Sequence, residues 1–180
     1  MATPVPKGGK YRGACCHPIC QMKKYSLLIV CTDNLCRSPT AEEVIRQNAI
    51  QQGLADQVQV SSAATHDLNV GESVDIRAQK HAMRRDYDLS KYRARLVEAD
   101  DFERFDLILA MDESNLLTLR MRCPQKYQGK LHYLTDYCSD QRDQAVPDPF
   151  YGKSDDFETV LDRVEDASEG LLRYVRTQIS

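Results

Sequence analysis

At 180 residues and 20.5 kDa, with 42% hydrophobic residues, the chain has room for one domain of ordinary size and enough apolar side chain for a core, which excludes wholesale disorder. Its 24 Lys and Arg against 27 Asp and Glu leave a net charge of −3 and no strongly basic stripe, so nucleic acid is not an expected partner. The longest unbroken apolar run, Leu27 to Cys31, falls far short of the roughly 20 residues that span a bilayer, and no membrane association is expected.

Residues 1–24 are rich in Gly, Pro and Lys without periodicity and read as a flexible extension ahead of a domain covering 25–180, with Met22 as an alternative start. Cys15, Cys16, His17 and Cys20 crowd together in that extension with no second knuckle to complete a tetrahedron, so they read as incidental thiols rather than a zinc site. Tyr25 to Cys31 is a buried strand by its length and β-branching. Ser38 to Gly53 follows with helical spacing, Ala41, Val44, Ile45 and Ala49 sharing a face. Val58–Ser62 is a second strand, Ser73–Arg85 a helix, Phe105–Met111 a third strand, Glu113–Arg122 a helix and Lys130–Leu134 a fourth strand. In the last helix Phe157, Val160, Leu161, Val164, Ala167, Leu171 and Val175 make the stripe that packs on a sheet. Strands alternating with helices predict an α/β fold: a small, doubly wound, flavodoxin-like sheet of four parallel strands with helices on both faces. An odd set of seven cysteines and an N-terminus without an apolar signal core point to a reducing, cytoplasmic setting.

In such sheets ligands bind at the carboxyl ends of strands, which directs attention to the turn after the first strand. It reads Cys31, Thr32, Asp33, Asn34, Leu35, Cys36, Arg37, Ser38, a C-x5-R-S pattern between strand and helix. A loop of this size can aim successive N–H groups at one anion while the helix N-terminus adds its positive end, so phosphate is the natural guest. Cys31 at the bottom of the cradle would be favoured as thiolate, the attacking species. Arg37 can grip two phosphoryl oxygens with its planar fork, and Ser38 can donate to the sulfur. Asn34 tolerates the left-handed backbone that such a curl demands. The competing readings are an inert core cysteine and a helix-surface arginine. Expelling an ester oxygen also needs a proton donor, and Asp148, held between Pro147 and Pro149, fits that role; its bland alternative is an ordinary turn aspartate.

The loop together with Pro39, Thr40, Ala41 and Glu42 resembles the signature of the low molecular weight protein tyrosine phosphatases. Ser61 to Thr65, Asn69 to Gly71, Arg93 to Val97, Asp101 to Phe105 and Met111 to Leu116 match stretches typical of that family, in order. Val146 to Gly152, followed by Ser154 to Val160, is similar to its Asp-Pro acid loop and closing helix. The resemblance covers about residues 25 to 175 and implies hydrolysis of phosphotyrosine and aryl phosphomonoesters by double displacement. Cys31 attacks, Asp148 protonates the leaving oxygen, and water then hydrolyses the cysteinyl phosphate with Asp148 as base. No metal or other cofactor is implied. Thr32, Asp33, Asn34, Leu35, Cys36 and Ser38 then form the phosphate-binding loop, Ser62 supports it, and Leu68, Phe150 and Tyr151 make the substrate wall. In the family the pair equivalent to Cys31 and Cys36 closes a reversible, protective disulfide, which makes redox sensitivity an expectation. Phosphotyrosine proteins are the expected substrates, a tyrosine kinase acting on Tyr151 is an expected partner, and a monomer or weak dimer the expected state.

Four positions depart from the family pattern. Asp33 stands where Gly is usual and puts a carboxylate at the rim of an anion site. Leu68 replaces a ring-stacking Trp or Tyr, and Phe150 with Tyr151 replaces paired tyrosines. Tyr92 takes the place of a loop-supporting His, its hydroxyl expected near Ser62. Two rival functions follow from the same residues: a catalytically impaired phosphate or phosphotyrosine binder spoiled by Asp33, and an arsenate reductase on the same fold, which would need further relay cysteines.

Overall fold

A computed structural model describes residues 23–140 and 145–179. The Cys15, Cys16, His17 and Cys20 cluster lies outside the described residues, as does most of the extension. The first strand, β1 (Tyr25–Cys31), is followed by helix α1 (Arg37–Gln51) and strand β2 (Val58–Ala64). Helix α2 (Ile76–Met83) and the single-turn helix α3 (Asp101–Arg104) lead to β3 (Leu107–Ala110), helix α4 (Glu113–Arg122), strand β4 (Leu131–Tyr133) and the long closing helix α5 (Ser154–Ile179). The sheet order is β2-β1-β3-β4, every pairing parallel. The expected doubly wound sheet is therefore present, and β1 is the strand from which the chain winds one way to β2 and then the other way to β3 and β4.

Alternate residues of the central strands face opposite layers, as a period of two requires. Leu27 and Ile29 of β1, with Leu107 and Leu109 of β3, pack under Val44 and Ile45 of α1 and Val160, Val164 and Leu171 of α5. Leu28, Val30, Ile108 and Ala110 face the other way, against Phe102 of α3, Phe105, and Leu116 and Leu119 of α4. Leu27, Leu28, Ile29 and Val30 are completely buried, each contributing roughly 1.5–3 kcal/mol through the area it removes from water. Among the described residues no helix is long and apolar enough to cross a membrane.

Several boundaries differ from the sequence expectation, each for a local reason. β2 runs on to Ala64 because residues 95–97 lie beside it: the Ala64 N–H donates to the Arg95 carbonyl at 2.7 Å and the Val97 N–H to the Ala64 carbonyl at 2.9 Å. The helix expected from Ser73 begins at Ile76, because Ser73 bridges to Arg93 and the Asp75 carboxylate caps the first turn, accepting from the Arg77 N–H at 2.7 Å. Helix α3 and the 3-10 turns Gln125–Lys130 and Leu134–Tyr137 are too short to leave a periodic signal.

Candidate active site

The loop between β1 and α1 sits at the carboxyl end of the switch strand. Its curl rests on Asn34, which has φ 56, a left-handed conformation in which a short polar side chain costs less than a bulky one. That turn brings the Asn34 N–H to 3.3 Å from the Cys31 sulfur. At the start of α1, Pro39 occupies the first turn, where a missing N–H costs no helical bond, and the Thr40 hydroxyl closes the turn on the Cys36 carbonyl at 2.7 Å.

A chain of polar groups runs away from the sulfur. The Ser38 hydroxyl lies 3.0 Å from Cys31 Sγ, and the Asn34 amide donates to Ser38 Oγ at 2.8 Å and to Ser62 Oγ at 2.9 Å. Beyond Ser62 comes Glu42 of α1, whose charged carboxyl Ser62 favours. Since Ser38 Oγ accepts from Asn34, its own proton has two places to go, the sulfur at 3.0 Å and the more distant Ala63 carbonyl at 3.5 Å, and the shorter contact lets it donate to sulfur. The Asn34 carbonyl oxygen accepts from the Arg95 N–H at 3.1 Å, so the segment flanking β2 also braces the loop. Tyr92 takes no part in this chain. Its hydroxyl goes to Glu43 Oε2 at 2.5 Å, on the next residue of α1, which corrects the expectation that it reaches Ser62.

Burial pushes the Glu42 carboxyl up to about 6, against the hydrogen bonds from Ser62 and the charge of Arg95, which pull it down. A folded-state value above the ordinary 4.5 means that the fold disfavours the ionised form, so this group's contribution to stability is lost as pH rises from 4.5 through about 6. Glu42→Gln is therefore expected to raise the thermal unfolding midpoint by a few degrees at pH 7.5 and to change little at pH 4. An equal shift at both pH values would trace the effect to packing rather than to a buried charge.

Arg37 is 3% exposed. Its Nη1 donates to Asp112 Oδ2 at 2.6 Å and to the Val146 carbonyl at 3.2 Å, while Nη2 donates to Thr32 Oγ1 at 3.3 Å and Asp148 Oδ2 at 2.6 Å. Burial by itself would weaken the guanidinium's hold on its proton; the facing Cys31, Asp112 and Asp148 outweigh it and raise its pKa. Asp112 also caps α4, accepting from the Asn115 N–H at 2.8 Å. The Asn115 amide satisfies both neighbours when its nitrogen faces the Asp112 carboxylate and its oxygen accepts from the Thr32 N–H and hydroxyl, at 3.3 and 3.1 Å.

Cys31, Asp33, Leu35, Cys36, Arg37, Asp148 and Phe150 line one small cleft. The structure thus brings together loop residues and an acid loop more than a hundred positions apart. Asp33 is one of the residues lining the cleft. Leu68 (83% exposed) and Tyr151 (96% exposed) stand out in solvent and do not line the cleft, so of the three expected wall residues only Phe150 does. Cys36 is a buried free thiol whose pKa burial pushes strongly up, so Cys36 stays protonated beside Cys31. Sequence reasoning gave no role to Asp112, Asn115 or Arg95. The N-cap spacing of Asp112 immediately before a helix was a signal for placing it, but nothing in that spacing points toward Arg37.

A sulfur under an aimed hydroxyl and N–H, with a buried guanidinium and a carboxyl meeting over the same cleft of a doubly wound sheet, places the chain among phosphatases that work through cysteine. Comparison narrows the class. Residues 26–180 match the family model described as low molecular weight phosphotyrosine protein phosphatase. A low molecular weight protein-tyrosine-phosphatase of Streptomyces coelicolor is 39% identical over 158 residues, 86% of this chain and 96% of that protein. The human low molecular weight phosphotyrosine protein phosphatase is 39% identical over 137 residues, 75% and 85% of the two chains. Among solved structures, a protein tyrosine phosphatase of Entamoeba histolytica superposes with TM-score 0.83 at 35% identity, covering 86% of this chain and 99% of that one. The chain belongs to the low molecular weight phosphotyrosine protein phosphatase family and is a hydrolase.

Proposed function

We propose that this chain dephosphorylates phosphotyrosine in proteins with Cys31 as nucleophile, Arg37 as the clamp on the transferring phosphoryl group and Asp148 as acid and then base. The observation that carries this reading is the convergence at one cleft: Cys31 Sγ 3.0 Å from Ser38 Oγ, and Arg37 joined to Asp148 at 2.6 Å. Cys31 attacks phosphorus in line, and the P–O bond to the tyrosine breaks. Asp148 delivers its proton to the phenolate oxygen, whose expulsion as an anion would otherwise be slow. Water then attacks the cysteinyl phosphate, giving its proton to Asp148, and the sulfur leaves as thiolate, received by the Ser38 hydroxyl. Thr32, Asp33, Leu35 and Cys36 contribute the rest of the loop, with Asn34 and Ser62 holding its shape. Free thiols at Cys31, Cys36 and Cys123 support a reducing, cytoplasmic setting. The arsenate reductase alternative is not favoured, because Cys123 and Cys138 are buried and neither lines the cleft.

Asp148→Asn tests the assignment of the acid. For phenyl phosphate, a poor leaving group, kcat/KM is expected to fall by about 10²- to 10³-fold; for an activated aryl phosphate such as the 2,4-dinitrophenyl ester the loss is expected to be about tenfold or less. Equal losses across the leaving-group series would make Asp148 a structural residue.

A further inference from the structure

The Asp148 side chain is 45% exposed and comes from residues 145–153, which form no helix or strand, so its aim depends on what holds the loop. One anchor is the Val146 N–H, which donates to the Met111 carbonyl at 2.9 Å; another is the Phe150 N–H, which donates to Asp148 Oδ1 at 3.1 Å. A third comes from the first turn of α2, a part of the chain to which the mechanism above gives no role.

We propose that Arg77 is a positioning residue that ties the acid loop to the phosphate loop and so sets where Asp148 stands over Cys31. Its Nη2 donates to the Phe150 carbonyl at 2.9 Å, and its guanidinium lies 5.6 Å from the Phe150 ring centroid and 5.2 Å from that of Phe157 on α5. The fork is itself fixed: Nε and Nη2 donate to the two Asp75 carboxylate oxygens at 3.1 and 2.7 Å. Asp75 is fixed in turn, its N–H donating to the carbonyl of Leu35 in the phosphate loop at 2.9 Å. A continuous path therefore runs from the Leu35 carbonyl through Asp75 and Arg77 to Phe150, and from the Phe150 N–H to the acid carboxyl. Each link is a hydrogen bond of ordinary length, and the cation over two aromatic faces adds attraction that a neutral side chain would lack. A planar fork is suited to this geometry because it holds a carboxylate with two nitrogens and keeps one N–H for a carbonyl.

The inference rests on Asp148 being the acid, and a displaced acid costs rate in proportion to how much the leaving group needs a proton. Arg77→Met, which keeps bulk and removes the donors, is expected to lower kcat/KM for phenyl phosphate about tenfold and for 2,4-dinitrophenyl phosphate by less than about twofold, with the inhibition constant of inorganic phosphate within about twofold of the parent. Arg77→Lys, keeping a cation and one donor, is expected to recover part of the loss. In a cycle with Asp148→Asn, the Arg77→Met effect on phenyl phosphate should disappear, because the second change then has no acid to misplace. A loss equal for both substrates, or one that persists undiminished in the Asp148→Asn background, would overturn the proposal and leave Arg77 a structural contact. Should Asp148→Asn itself show no leaving-group dependence, the acid assignment fails and this proposal falls with it; that result is recognisable because it appears in the single Asp148 variant.

Discussion

Cys31→Ser is expected to abolish measurable hydrolysis, a fall on the order of 10⁴-fold or more in kcat, while inorganic phosphate still binds. The loss follows from the ordinary acidities of the two groups. A cysteine sulfur here has the Ser38 hydroxyl at 3.0 Å and the Asn34 N–H at 3.3 Å to receive it as a leaving group, whereas a serine hydroxyl is intrinsically a far weaker acid and nucleophile than any thiol. Binding is expected to survive because the phosphate loop proposed above, with the Arg37 side chain, loses nothing in the substitution. Equilibrium binding of phosphate and single-turnover release of phenol separate the two quantities. Residual turnover above a few percent would mean that another group attacks phosphorus.

Arg37→Lys is the second large expected effect, a drop of about 10³-fold in kcat/KM with the fold retained. The charge is kept, so Asp112 and Asp148 still face a cation and thermal stability should change modestly. What disappears is the fork. Arg37 now serves Asp112 and Val146 with one nitrogen, and Thr32 and Asp148 with the other. A single ammonium cannot keep the Asp112 side engaged and also present two parallel N–H bonds to the equatorial oxygens whose charge grows in the transition state. Retention of more than a tenth of the parent kcat/KM would show that a point charge suffices. That outcome would move the burden of transition-state stabilisation onto the loop amides.

Much of this architecture was legible before any coordinates. β1 and α4 lie where periodicity and β-branching placed them, Tyr25–Cys31 and Glu113–Arg122, because each is bounded by residues that change the local pattern abruptly. The catalytic loop was legible for a different reason: Cys31, Arg37 and Ser38 are close in sequence, so their spacing alone carries geometry. What stayed hidden depends on tertiary approach. Asp112 meets Arg37 from 75 positions away, and Tyr92 chose Glu43 over Ser62 although the two carboxylates of α1 are adjacent in sequence. Side-chain direction on a helix decides such a choice, and a motif match does not encode it. The exposure of Leu68 and Tyr151 is a similar case. A family's wall position was legible, but whether a residue there closes over a cleft depends on the path of a loop rather than on residue type.

The contact between Arg37 and Asp148 carries a consequence for product release. A phosphate dianion and the Asp148 carboxylate seek the same guanidinium nitrogen, and both are anions, so each raises the free energy of the other in the cleft. An arriving ester has to displace the carboxylate from that nitrogen before Arg37 can hold the phosphoryl oxygens. Hydrolysis of the cysteinyl phosphate leaves a water-derived proton on Asp148; once that proton passes to solvent, the carboxylate reclaims Arg37 and stabilises the free enzyme relative to its complex with inorganic phosphate. The protein thus holds an internal competitor that lowers its affinity for product. Asp148→Asn, which loses the proton donor, is for the same reason expected to hold inorganic phosphate more tightly than the parent while turning over more slowly, so that affinity and rate move in opposite directions through one atom pair.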